Sequence, residues 1–177
     1  MLGYGCAVLA DWRFTLPPVA VFVCHIVTTR RHHLTKVFDH RLDAVLSHAI
    51  GCMPWVLLAA SGTIPKWTGL AGVSFAMAAQ LAMLDASTLS WLGRFPPRPL
   101  RSSIKGWSIT AVPGLVWFAP DFGRIWEAAA IGFGITIPVT LLLHWLSPRF
   151  RGRVTELWLY QGLLALAAST PALLVRS

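Results

Sequence analysis

This sequence predicts an all-helical membrane protein, a polytopic bundle of six transmembrane helices, and three observations predict it. Apolar runs cover about 14–29, 44–64, 68–93, 106–120, 125–147 and 154–175, and most reach the roughly 17–25 residues needed to cross hydrocarbon. Only 12% of residues are charged while 55% are hydrophobic, against about 25% charged in a typical soluble domain. With a mean hydropathy of +0.62, the chain has too little polar surface for a water-facing globule. Third, the basic residues gather in every second hinge between the runs.

The segment Met1–Ala10 is apolar but has no Lys or Arg before it and no small-residue cleavage pattern, so it reads as a poor signal peptide. Asp11 and Arg13 interrupt it before the first run. The second run contains Gly51 and Pro54, the fourth Pro113 and Gly114, the fifth Gly132, Gly134 and Pro138, and the sixth Pro171. Each proline removes a helical hydrogen bond that lipid cannot replace, which predicts kinks partnered by neighbouring helices. Pro96, Pro97 and Pro99 stiffen the third hinge and end the third helix near Gly93. The fourth run is the weakest, because its fifteen residues cover only about 22 Å of a roughly 30 Å core. It either extends to Ser102 or enters part way, leaving five full spans and one partial one. Gly72 with Ala76, and Ala128 with Gly132, have the four-residue spacing of close helix packing. The longest polar segment, Thr28–Asp43, is too short for a soluble head, so residues 1–177 form one bundle.

Arg30, Arg31, Lys36 and Arg41 lie in the first hinge, Arg94, Arg98, Arg101 and Lys105 in the third, and Arg149, Arg151 and Arg153 in the fifth. The second and fourth hinges carry Lys66 and Arg124 alone. The positive-inside rule then puts the odd-numbered hinges in the cytoplasm and both termini outside. The net charge of +8 follows the hinges rather than one tract, so the expected partners are membrane lipids with anionic headgroups, not nucleic acid. Arg30, Arg31, Arg41, Arg94, Arg98 and Arg101 are the expected phosphate or headgroup contacts. Trp12, Trp67, Trp91, Trp107, Trp117, Trp126, Trp145 and Trp158 fall near proposed helix ends and read as interfacial belt residues. Trp55 lies inside a span and is the one candidate to line a pocket.

Depth singles out the site candidates. His25, His48 and His144 sit about one turn from the cytoplasmic ends of the first, second and fifth helices, Asp85 about two turns inside the third, and Glu156 opens the sixth. Ionisable groups are costly in hydrocarbon, which makes this group a candidate substrate or ion site in the cytoplasmic leaflet. Asp85 needs a partner or a proton there, from His48, His144, Ser87 or Thr88. A short hinge joins the first two helices, so they are expected to pack side by side, with His25 and His48 within roughly 7 Å, close enough for a bridging metal.

Cys24, His25, His48 and Cys52 combine nitrogen and sulfur at similar depth, a ligand set suited to a soft or borderline metal, and His25 with His48 could hold a b-type haem. The spacing matches no metal motif, and the cofactor stays unassigned. His32, His33 and His40 read as solvated loop residues. Three cysteines, Cys6, Cys24 and Cys52, argue against a disulfide framework. Asp39 and Asp43 are four apart and would share a helical face at the cytoplasmic surface, where paired carboxylates can hold Mg²⁺ against a diphosphate, with Arg30, Arg31 and Arg41 as anion partners. The string Phe38-Asp39-His40-Arg41-Leu42-Asp43 resembles a fragment of the first Asp-rich motif of the UbiA-type prenyltransferases. That resemblance implies an enzyme acting on a prenyl diphosphate. It departs from the family at Thr35 and Lys36, in lacking a second Asp-rich motif and in chain length.

The expected function is therefore a small plasma-membrane protein, a transport, binding or accessory subunit with a polar site in the cytoplasmic leaflet, alone, as a homo-oligomer or with a protein partner. The alternatives are a membrane-embedded enzyme on a lipid phosphate or prenyl diphosphate, and a metal- or haem-binding subunit.

Overall fold

The computed structural model describes residues 11–31, 42–91, 99–118, 122–146, 149 and 154–175, excepting the side chains of 25, 28–31, 42–44, 85–91, 99, 112–118, 122–123 and 154. Among the described residues there are six α-helices and no strand. They are α1 (Leu16–Arg31), α2 (Leu42–Ala60), α3 (Lys66–Trp91), α4 (Pro99–Phe118), α5 (Phe122–Leu146) and α6 (Val154–Ser169), with 3-10 turns at Trp12–Thr15 and Thr170–Leu174.

The chain enters through the first 3-10 turn, where Asp11 Oδ1 accepts the Arg13 backbone N–H at 3.2 Å. Pro17 and Pro18 fall in the first turn of α1, where their missing N–H groups have no helical partner to lose. Helix α2 ends at Ala60, and the turn after it passes through Gly62, whose φ of 74° is the left-handed conformation glycine adopts without a Cβ clash. Ser61 N–H closes on Leu57 O at 2.9 Å and Thr63 N–H on Leu58 O at 3.0 Å. A short link then returns the chain as α3.

Helix α3 is the axis of the bundle and touches all five other helices. Of an 18-residue stretch within Lys66–Leu84, 94% is buried. Its small residues make this possible, since Gly69, Gly72, Ala76 and Ala79 let neighbours approach on several sides. A Cβ on Gly106 of α4 would stand 2.5 Å from Ala78 O, so the α3 and α4 backbones are nearly in contact there.

Three sequence expectations change. Helix α4 begins at Pro99, not 106, because a polar first turn interrupts hydropathy but not helical hydrogen bonding; Pro99 suits a helix start. Helix α6 stops at Ser169, and the expected last turns become the 3-10 segment around Pro171. Helix α1 packs on α3 and α4 and shares no packed interface with α2 among the described residues. The ten residues 32–41 can reach about 33 Å, so the link does not force adjacency.

Candidate functional site

Helices α2, α3 and α6 meet along three stripes of four-residue spacing, which places one residue from each at successive levels about 6 Å apart. At the first level are Ser47, Gln80 and Gln161; at the second Gly51, Ala76 and Ala165; at the third Trp55, Gly72 and Ser169. Helix α2 runs antiparallel to α3 and parallel to α6.

The first level is polar and closed to solvent. Ser47 and Gln80 are 0% exposed and Gln161 is 3% exposed. Gln80 Nε2 donates to Ser47 Oγ at 2.6 Å, and Gln161 Nε2 donates to the Gln80 main-chain oxygen at 3.4 Å. Gln80 Oε1 is buried without a hydrogen-bond partner. Close packing seals the level: a Cβ on Gly162 would stand 2.7 Å from Ser47 O. The chain contains two glutamines and no asparagine, and both glutamines come to this junction. Neutral amides and a hydroxyl bind and orient by hydrogen bonding, and none of the three titrates.

The third level seats Trp55. A Cβ on Gly72 would stand 2.1 Å from its ring, and Trp55 Nε1 donates to Ser169 Oγ at 2.8 Å while that hydroxyl donates to Leu166 O at 2.6 Å. The same arrangement recurs across α4 and α5. Trp107 covers Gly132, where a Cβ would come within 2.7 Å of the ring, and its Nε1 donates to Thr136 Oγ1 at 3.1 Å. Thr136 Oγ1 donates in turn to Gly132 O at 2.8 Å. Trp107 was expected in the interfacial belt; it is 5% exposed and packs against Phe75 and Phe133 at centroid distances of 4.9 and 6.2 Å. The reason is the longer α4, which puts Trp107 two turns inside the helix. Trp12, Trp126 and Trp145 are exposed, and Trp67 and Trp158 half-buried. Trp91 and Trp117 side chains lie outside the described set.

Five of the ionisable and thiol candidates have described side chains. His48 is half-buried one residue from Ser47, Cys52 is fully buried one turn further along α2, and Cys24 is half-buried on α1. His144 is half-buried near the end of α5, and Glu156 is exposed at the start of α6. The side chains of His25, Asp85, Asp43, Arg30 and Arg31 lie outside the described set, as do residues His32, His33, Asp39, His40, Arg41, Arg94 and Arg98. The approach of His25 to His48 falls outside the described side chains, and α1 packs mainly on α3 and α4. Among the described residues no three His, Cys, Asp or Glu side chains are placed to hold a metal ion. Arg101 is exposed, and Arg149 stacks 4.5 Å from the Trp145 ring centroid. At the opposite end Arg13 lies 5.9 Å from the Trp12 and 5.6 Å from the Trp67 ring centroids.

A search by charge overlooks this junction, because Ser47, Gln80 and Gln161 are neutral. The available signal was rarity: a glutamine in an apolar run carries donors and an acceptor that lipid cannot satisfy. No family model, curated protein or solved structure matches this chain.

Proposed function

We propose that this chain is a six-helix plasma-membrane protein, a transport, binding or accessory subunit, whose polar site is the α2–α3–α6 junction in the cytoplasmic leaflet. The observation that carries the reading is an inverted surface. Ser47, Gln80, Thr110, Thr136, Thr140, Gln161 and Ser169 are buried, while Val19, Phe22, Leu57, Ile131, Leu141, Leu142 and Leu163 stand exposed. In water that exchange exposes apolar area at about 25 cal/mol per Å²; in lipid it costs nothing and leaves polar pairs inside as the association force.

The charges support the same reading. The exposed Lys66, Arg101, Arg124, Glu127 and Glu156 all lie within two turns of a helix start, at headgroup depth in a membrane-spanning bundle. Three helices are long and apolar enough to cross, at Lys66–Leu84, Arg124–Leu146 and Thr155–Leu174 among the described residues. The antiparallel order of neighbouring helices brings the ends flanking 32–41, 92–98 and 147–153 to one face of the bundle. Those segments hold most of the clustered cations, so anionic headgroups are the proposed lipid partners at that face.

Reporter fusions at residues 35, 66, 100 and 177 test this arrangement. Cytoplasmic signal at 35 and 100 with external signal at 66 and 177 is expected. Cytoplasmic signal at both 66 and 177 overturns the orientation, and recovery of the full chain in the soluble fraction overturns the membrane setting.

A further inference from the structure

Glycines inside the helices of this protein mark close neighbours. A Cβ on Gly51, Gly69, Gly72, Gly106, Gly132 or Gly162 would meet an atom of another helix between 2.1 and 3.5 Å away. Gly134, near the middle of α5, departs from that pattern: it is exposed, and nothing lies within 4 Å of a Cβ built there. Glycine weakens a helix relative to alanine. At the other six positions close packing offsets that cost; at Gly134 the offset has to come from outside the protomer.

The surroundings of Gly134 suit a helix better than lipid. Ala130 and Pro138, one turn to either side, are also exposed, and both are short, so the α5 backbone can be approached closely over this stretch. The outward positions of α1, α2 and α6 carry longer side chains, among them Phe22, Leu57 and Leu163. Pro138 lacks the N–H that would pair with Gly134 O. Hydrocarbon has no donor for that oxygen, whereas a helix in close contact offers its polarised Cα–H groups.

The charges on the same side of α5 identify the occupant. Glu127 lies two turns before Gly134, and Arg124 precedes it by three residues, so the two share a helix face. Both are exposed, and among the described residues neither makes an ion pair. A face with one cation and one anion at adjacent levels is complementary to itself about a two-fold axis. Two copies in one membrane orientation have parallel α5 helices, which sets Arg124 against the partner's Glu127, twice over.

We propose that a second copy of this chain docks on the outward face of α5 as a parallel two-fold dimer, with the helices crossing at Gly134 and Arg124 paired with Glu127 of the partner subunit. The inference rests on the membrane reading above, which gives both copies one orientation.

The test is energy transfer between full chains carrying donor or acceptor fluorescent proteins at the C-terminus, reconstituted in phosphatidylcholine vesicles and diluted with lipid. Wild-type transfer is expected to stay above the level of random proximity. Gly134→Leu should weaken association by about tenfold or more. Position 134 is open in protomers kept apart by excess detergent, so a side chain there opposes association without opposing the fold of the protomer. Arg124→Glu and Glu127→Arg should each weaken self-association, because each sets like charges together. Mixing the two variants should restore transfer, since each then faces its opposite. Wild-type transfer no greater than random proximity, unchanged association of Gly134→Leu, or a mixed pair no better than either variant alone overturns the proposal. Failure of the chain to enter vesicles overturns the membrane setting and the dimer with it, whereas entry without transfer overturns the dimer alone.

Discussion

Helices α3 and α5 are both long and apolar, yet they occupy opposite situations. Of an 18-residue stretch within Lys66–Leu84 of α3, 94% is buried, against 28% of one within Arg124–Leu146 of α5. The difference follows from where the small residues lie. In α3 glycine and alanine occur on every side, so each side can receive a neighbour. In α5 the buried Ala128, Gly132, Thr136, Thr140 and Leu143 recur at helical spacing on one side, and Ile131, Leu141, Leu142 and Trp145 line the other. Hydropathy registers the sum of apolar groups, whereas packing depends on how far each one protrudes.

The contrast predicts a steep gradient of mutational cost. Gly72→Leu in α3 drives a branched side chain into the Trp55 ring, already 2.1 Å from a Cβ at that position. We expect destabilisation at or above ~3 kcal/mol, the upper part of the overpacking range, read as a lost cooperative melt. A normal melt would mean that α3 is not the rigid axis described.

Ile131→Lys tests the outward side of α5. If that side faces lipid, a lysine near mid-helix costs about 2.5–3.5 kcal/mol for insertion, and the chain should largely vanish from carbonate-washed membranes. Undiminished recovery would show that this face does not meet hydrocarbon.

Trp107→Phe keeps most of the ring against Phe75 and Phe133 but removes the donor to Thr136. Thr136 retains its bond to Gly132 O, so the loss should be near 1 kcal/mol, the worth of one hydrogen bond, measurable by denaturant unfolding. Gly134→Ala should have the smallest effect and the opposite sign. Nothing lies within 4 Å of a Cβ there, so the change should stabilise α5 by up to about 1 kcal/mol through helix propensity. A loss of stability at 134 would reveal a neighbour on that face and break the contrast with α3.

The legible part of the site and the hidden part have different physical origins. Gly72, Ala76, Ala128 and Gly132 could be read as packing positions because small residues four apart share a helix face whatever the neighbour is. The expected pairing of His25 with His48 depended on which helices touch, and a ten-residue link leaves that choice to the packing of α1 on α3 and α4. Depth along a helix can be counted from a sequence; rotation toward a partner cannot. For that reason the equal depth of the histidines does not by itself assign their neighbours, while Ser47, Gln80 and Gln161 met without any charge to announce them.

By itself the sequence determined the helical class, the number of helices and the approximate position of each, because apolar run length and proline punctuation act within one segment. It also determined that charged residues cluster between the apolar runs. Only the tertiary structure decided that α3 is the axis, that α4 starts at Pro99 and carries Trp107 into the core, and that the chain's two glutamines meet Ser47 at one level. Those outcomes depend on the shapes of several helices at once, and a stripe of small residues specifies a close neighbour without specifying which one.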